Sequence, residues 1–263
     1  MSVACCVYAI VACDMQPPPG LTGLGDGTLS MVASGSLAGV TSPVPSGGLR
    51  PMAENVLRHG AIVEALQRQG PTLPVRFGTV VADALVLTDV LAQRQAELLA
   101  DLTRLGDKVE FGLTVLWDRS PGEDDGLLDG PDDHQLPGGG PGTQYLRARL
   151  AASHRDATRR EAARSIARSL DAVLDSHVLD RRCSITPTDR LAVRAAYLID
   201  PTQFGACTRA IGEVRRRRQD LRVLVSGPWA PYSFVSPDRA GERSPLDDVL
   251  KDASRWWTPS ANG

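Results

Sequence analysis

The sequence predicts an α+β protein built as two domains. Three observations carry this. Short apolar runs of strand length alternate with segments of helical periodicity, and no long βαβαβα succession appears. A stretch from 118 to 142, rich in acids, glycine and proline, interrupts the pattern midway. After it, strand and helix signals resume and support a second, smaller unit with a long helix.

At 263 residues the chain is long enough for two cores. A net charge of −2 gives no general attraction to nucleic acid or to an anionic membrane. The five cysteines are odd in number and lack metal-ligand spacing, which fits reduced, buried thiols in a cytosolic setting. The apolar run from Val3 to Cys13 has no preceding Lys or Arg and is short for a signal sequence, so it reads as a first strand, Val3 to Val11. No stretch approaches the roughly 20 apolar residues that span a bilayer.

Further strands are expected at Leu29 to Ser34 and, as an irregular extension or edge strand, from Leu37 to Gly48. Pro51 opens a helix reaching about Gln69, with Met52, Val56, Val63 and Leu66 near one face and Gly70-Pro71 ending it. Leu73 to Val81 reads as a strand containing Arg76-Phe77-Gly78-Thr79. A second amphipathic helix carries Leu87, Val90, Leu91, Leu98, Leu102 and Leu105 and closes at Gly106. Val109 to Trp117 alternates like a half-buried strand and ends the first domain, residues 1–117. Two helices on one face of a four-stranded, mainly antiparallel sheet give a modified ferredoxin-like arrangement.

Residues 118–142 form a solvated linker. Glu123-Asp124-Asp125, Asp129 and Asp132-Asp133 do not match the ligand order of a calcium loop. The second domain, 143–240, begins with an arginine-rich helical stretch from Thr143 to Val178. Cys183 to Thr186 and Arg190 to Asp200 pair across a turn at Pro187-Thr188-Asp189. Asp200-Pro201-Thr202-Gln203 has the residues of a helix start, and Arg215 to Arg218 complement the dipole at that helix's end. Leu221 to Val225 is a last strand. It delivers Gly227-Pro228-Trp229-Ala230-Pro231-Tyr232-Ser233-Phe234, three aromatics in a chain that is only 5% aromatic. A tail, 241–263, carries a weak helical pattern through Leu246, Val249 and Leu250.

Chemistry is sparse. The four histidines, His59, His134, His154 and His177, lack i, i+4 spacing, and no nucleophile elbow, phosphate loop or dinucleotide fingerprint occurs. No catalytic, metal-binding or cofactor-binding residue is assigned. Arg160, Arg164 and Arg168 recur on one helix face among acidic neighbours and without interleaved aromatics. That pattern favours a solvated face or an acidic protein partner over DNA or RNA. Arg76, within an apolar stretch, reads either as an ion-paired edge arginine or as a residue offered to a partner. The candidate residues are therefore Arg76, Phe77, Trp229, Tyr232 and Phe234, for partner binding or for clamping the domains together.

An ordered set of segments carries a family resemblance: Val7-Tyr8-Ala9-Ile10, Pro74-Val75-Arg76-Phe77-Gly78-Thr79, Val109 to Leu113, Gly142-Thr143-Gln144-Tyr145-Leu146, Ala196-Tyr197-Leu198-Ile199 and Gly227 to Phe234. Over roughly residues 3 to 235 the chain resembles the gas vesicle protein F/L family. It departs in having Ala9 where the family usually has glycine and Ala230 where it usually has proline. The resemblance implies a two-domain, non-enzymatic protein of gas vesicle assembly, without cofactor. It implies a cytoplasmic, vesicle-associated protein that binds the small hydrophobic shell subunit and other accessory proteins, or becomes a minor vesicle component. The contrasting expectation is a ligand-binding regulatory module on a ferredoxin-like sheet.

Overall fold

A computed structural model describes residues 3–45, 48–121 and 141–236. Most of the acidic linker, His134 and the whole of the tail lie outside the described residues. The chain divides into two compact units, one of residues 1–109 and 229–263, the other of residues 110–228.

In the first unit, β1 (Cys5–Ala12) is the central strand, buried along almost its whole length. It pairs antiparallel with β3 (Leu37–Pro43), which in turn pairs with β2 (Ser30–Ser34) through a tight turn at Gly35. The sequence reading made 37–48 an extension or an edge; the structure makes β3 an internal strand with every residue from Leu37 to Ser42 buried. Gly39 permits this, because a Cβ there would lie 2.7 Å from Leu87 of the helix packed above. Pro43 falls at the last residue of the strand, where a missing N–H is tolerated.

Helix α1 (Ala53–Gln67) follows. It buries His59, Ile62, Val63 and Leu66, an i, i+3, i+4, i+7 stripe. Met52 and Val56, expected on that face, are exposed instead. The segment read as one strand, Leu73 to Val81, is broken into β4 (Thr72–Pro74) and β5 (Val80–Val81), both antiparallel to β1. The break has a backbone cause: Gly78 sits at φ +93°, and the Thr79 amide and hydroxyl both donate to the Arg76 carbonyl.

The second expected helix is also two, α2 (Ala84–Gln93) and α3 (Gln95–Leu105). Asp83 caps α2 through the Val86 amide at 3.0 Å. Arg94 interrupts the helical run with φ −105° and ψ 11°, its guanidinium held by Glu97.

In the second unit, a four-stranded sheet has the order β7-β8-β6-β9, from β6 (Val109–Trp117), β7 (Asp180–Ser184), β8 (Leu191–Ile199) and β9 (Leu221–Trp229). β6 was expected to close the first domain. It is instead an inner strand here, flanked by β8 and β9, and it buries Phe111, Leu113, Val115 and Trp117 on one face. Alternation alone reports that a strand has a buried face, not which sheet receives it. Phe111 packs edge-on to Phe204 and near Tyr197. Phe204 opens helix α5 (Phe204–Arg217), which buries Cys207 and Ile211 and ends in Arg215, Arg216 and Arg217 as expected. Asp200 accepts the Thr202 amide at 3.0 Å in the turn of 3₁₀ helix before it. β7 and β8 form the anticipated antiparallel pair. The long arginine-rich helix is α4 (Pro141–Leu174), 34 residues and about 50 Å at 1.5 Å per residue.

Candidate functional site

Two regions of the first unit contain the residues singled out from sequence. The first lies around Tyr8 on β1. Its hydroxyl is 2.7 Å from Ser42 Oγ and accepts the Leu24 amide at 2.8 Å, so a buried phenol is fully partnered. His59 leans on the Tyr8 ring at 5.2 Å and meets Phe77 edge-on at 5.7 Å. Its Nε2 stands 2.8 Å from the Val75 carbonyl. A carbonyl only accepts, so Nε2 carries the proton and donates. Burial pushes the imidazole pKa below its ordinary value, with the Val75 carbonyl pulling weakly the other way. This histidine is a core residue that bridges helix α1 to the turn at Phe77. Arg76 is exposed.

The second region is the aromatic segment. Gly227 takes φ +110°, a backbone that side-chain-bearing residues avoid, and the Gly227–Pro228 peptide is cis. From Trp229 onward the chain belongs to the first unit. Ala230 enters its core cluster beside Tyr8, Ile62 and Phe77, and Tyr232 packs against the same cluster. Phe234 is completely buried. Trp229 is 57% exposed.

Helix α3 and Arg94, just before it, fix the end of this segment through its backbone groups. Arg104 donates to the Phe234 carbonyl at 2.9 Å, Arg94 to the Ser236 carbonyl at 3.0 Å, and the Ser236 amide donates to Asp101 at 2.7 Å. Asp101 is itself buried and paired with Arg104 at 2.7 Å. Burial would raise its carboxyl pKa, but the Ser236 and Arg104 hydrogen bonds outweigh that and hold it below the usual range. Sequence reasoning missed this latch. Its signal was an acid at 101 among Leu98, Leu102 and Leu105, on the face that the helix buries.

The structure therefore brings Phe77 and Tyr232 into one core, buries Phe234 beside it, and leaves Arg76 and Trp229 at the surface. Among the described residues no group of three or more His, Cys, Asp or Glu side chains could hold a metal ion. Burial raises the pKa of the Cys6 and Cys207 thiols and keeps them protonated, while Cys13 and Cys183 are exposed. No helix of the described residues is long and apolar enough to cross a membrane.

These features define a class: a two-unit α+β protein whose marked residues shape cores and surfaces. The chain belongs to the family described as gas vesicle synthesis protein GvpL/GvpF, which it matches over residues 4–236. It is 28% identical to gas vesicle protein L of a Streptomyces species over 250 residues, 87% of this chain and 91% of that protein. It is 27% identical to gas vesicle protein F of the same organism, over 83% of this chain and 93% of that protein. Gas vesicle protein F2 of Halobacterium salinarum is 28% identical over 76% of each. The fold matches the crystal structure of gas vesicle protein GvpF from Anabaena with a TM-score of 0.71 at 19% identity, covering 90% of this chain and all of that one. Membership of this family supports a role in gas vesicle formation.

Proposed function

We propose that this protein is a non-enzymatic assembly factor that binds the small hydrophobic shell subunit, and other accessory proteins, while gas vesicles are nucleated or built. It acts in the cytoplasm, at the growing vesicle or as a minor part of it. The family match supports the process. The observation that carries the binding role is Trp229.

An aggregation-prone shell subunit needs its apolar surfaces and strand edges covered until it polymerises. Trp229 offers the matching surface: a large aromatic, 57% exposed, at the end of β9, an edge strand of its sheet. Its backbone runs directly into the buried Ala230 and Phe234 of the first unit. An exposed aromatic on an immobilised backbone loses little entropy on binding, which is what interface anchors require. Leu224 is a second exposed apolar side chain on β9. Phe77, Tyr232 and Phe234 serve this reading only indirectly, by fixing the backbone that presents Trp229.

Co-expression of the shell subunit with tagged protein, followed by pull-down, tests it. Trp229→Ala is expected to lower shell-subunit recovery roughly tenfold or more, as truncating an anchor residue does. Undiminished recovery would overturn the role given to Trp229.

A further inference from the structure

The first unit is interrupted in sequence. Its two pieces, up to residue 109 and from residue 229 onward, are separated by the second unit, one continuous stretch of residues 110–228. We propose that residues 229–236 are a strap that closes the first unit only once the second has folded. The inserted unit thereby gates completion of the unit around it.

The strap belongs to the core. Ala230 sits in the cluster of Tyr8, Ile62 and Phe77, and Tyr232 packs against that cluster. Pro231 and Phe234 are buried as well. The polar anchors also come from the first piece: the Ser236 amide donates to the buried Asp101, and Arg104 and Arg94 donate to the Phe234 and Ser236 carbonyls. Without the strap, Asp101 loses a hydrogen bond and the cluster loses apolar cover. The chain up to residue 109 therefore lacks part of its own unit's core.

These contacts are long-range. The three polar anchors join residues 130, 135 and 142 apart in sequence. Closing a free loop carries an entropy cost that lowers the closure constant as the three-halves power of loop length. The second unit removes most of that cost. Its strands β6 and β9 are neighbours in the sheet. Gly112 lies against Ser226, and the Asp118 amide donates to the Asp220 carbonyl at 3.0 Å, so the two strands run antiparallel. That register sets residue 110 opposite residue 228, the two points where the chain leaves and rejoins the first unit. A loop of about 120 residues becomes a link of a few, which favours strap closure roughly hundredfold. The second unit needs no such help, because its strands, α4 and α5 lie in one uninterrupted run of sequence.

Hydrogen exchange of the full-length chain, read by mass spectrometry, tests this. A peptide covering 230–236 reports the strap, and peptides of β8 report the second unit. Core truncations confined to the second unit, Ile211→Ala, Leu170→Ala and Val115→Ala, are combined until β8 exchanges freely. The strap is then expected to exchange roughly tenfold or more faster than in the parent, although no first-unit residue has changed. Phe234→Ala controls for order: it should free the strap and leave β8 protected. A strap that keeps its parent rate while β8 exchanges freely overturns the proposal. So does a parent whose strap is unprotected, or a Phe234→Ala protein in which β8 is freed together with the strap. None of these readouts involves the shell subunit, so this inference and the Trp229 reading fail separately.

Discussion

Trp229 and Phe234 belong to one short aromatic segment, yet they live in opposite environments. Phe234 is fully buried, its carbonyl held by Arg104 and the chain beyond it tied to Asp101. Trp229 is more than half exposed. On the proposed reading the segment divides its work: buried aromatics fix a backbone, and a neighbour on that backbone can bind without first having to be ordered. The two residues should therefore separate cleanly when stability and binding are measured side by side.

The largest loss of stability is expected at the buried end. Phe234→Ala removes a fully enclosed ring and should cost about 3–5 kcal/mol, read as a lowered thermal midpoint. A small loss would mean the segment is not part of the first unit's core. Asp101→Asn weakens the latch without emptying the core. It removes a charge-assisted pairing with a half-exposed Arg104, and should cost about 1–3 kcal/mol.

Acid probes the same unit. His59 is buried in neutral form, so below its unfolded pKa of about 6.5 the unfolded chain binds a proton that the native state refuses. Stability should therefore fall as pH drops below about 6.5, and His59→Gln should flatten that slope. An unchanged slope in the variant would assign the acid sensitivity to other groups. Asp101, whose native pKa is depressed, contributes stability above the ordinary carboxylate range that is lost only as pH falls through its lowered value. The smallest stability effect is expected at the exposed end, where Trp229→Ala should change stability by no more than about 0.5 kcal/mol.

The sequence made the strands and helices legible where a pattern had one face to bury. β1, β2, α1 and the pair β7–β8 follow periodicity and turn chemistry. The fold class followed too, through the ordered family segments. Partnership was less legible. Nothing in the alternation of β6 says that it lies between β8 and β9, because period two reports a buried face but not a neighbour. The turn at Arg76 to Gly78 depends on a positive φ, and Arg94, where the helical run breaks, is engaged by the distant Ser236 carbonyl. At the candidate site, the aromatic cluster was visible by composition. Its division into a buried Phe234 and an exposed Trp229 was not, because proline-rich segments lack a period that separates inside from outside. Asp101 was hidden for a related reason: its partner is a backbone amide 135 residues away.

The central claim, that Trp229 is a surface held ready by a buried neighbour, is tested most directly by one paired measurement on Trp229→Ala. The thermal midpoint and the recovery of co-expressed shell subunit are read from the same preparation. The account predicts an unchanged midpoint with recovery reduced roughly tenfold or more. Full recovery, or a midpoint that falls together with recovery, would contradict it.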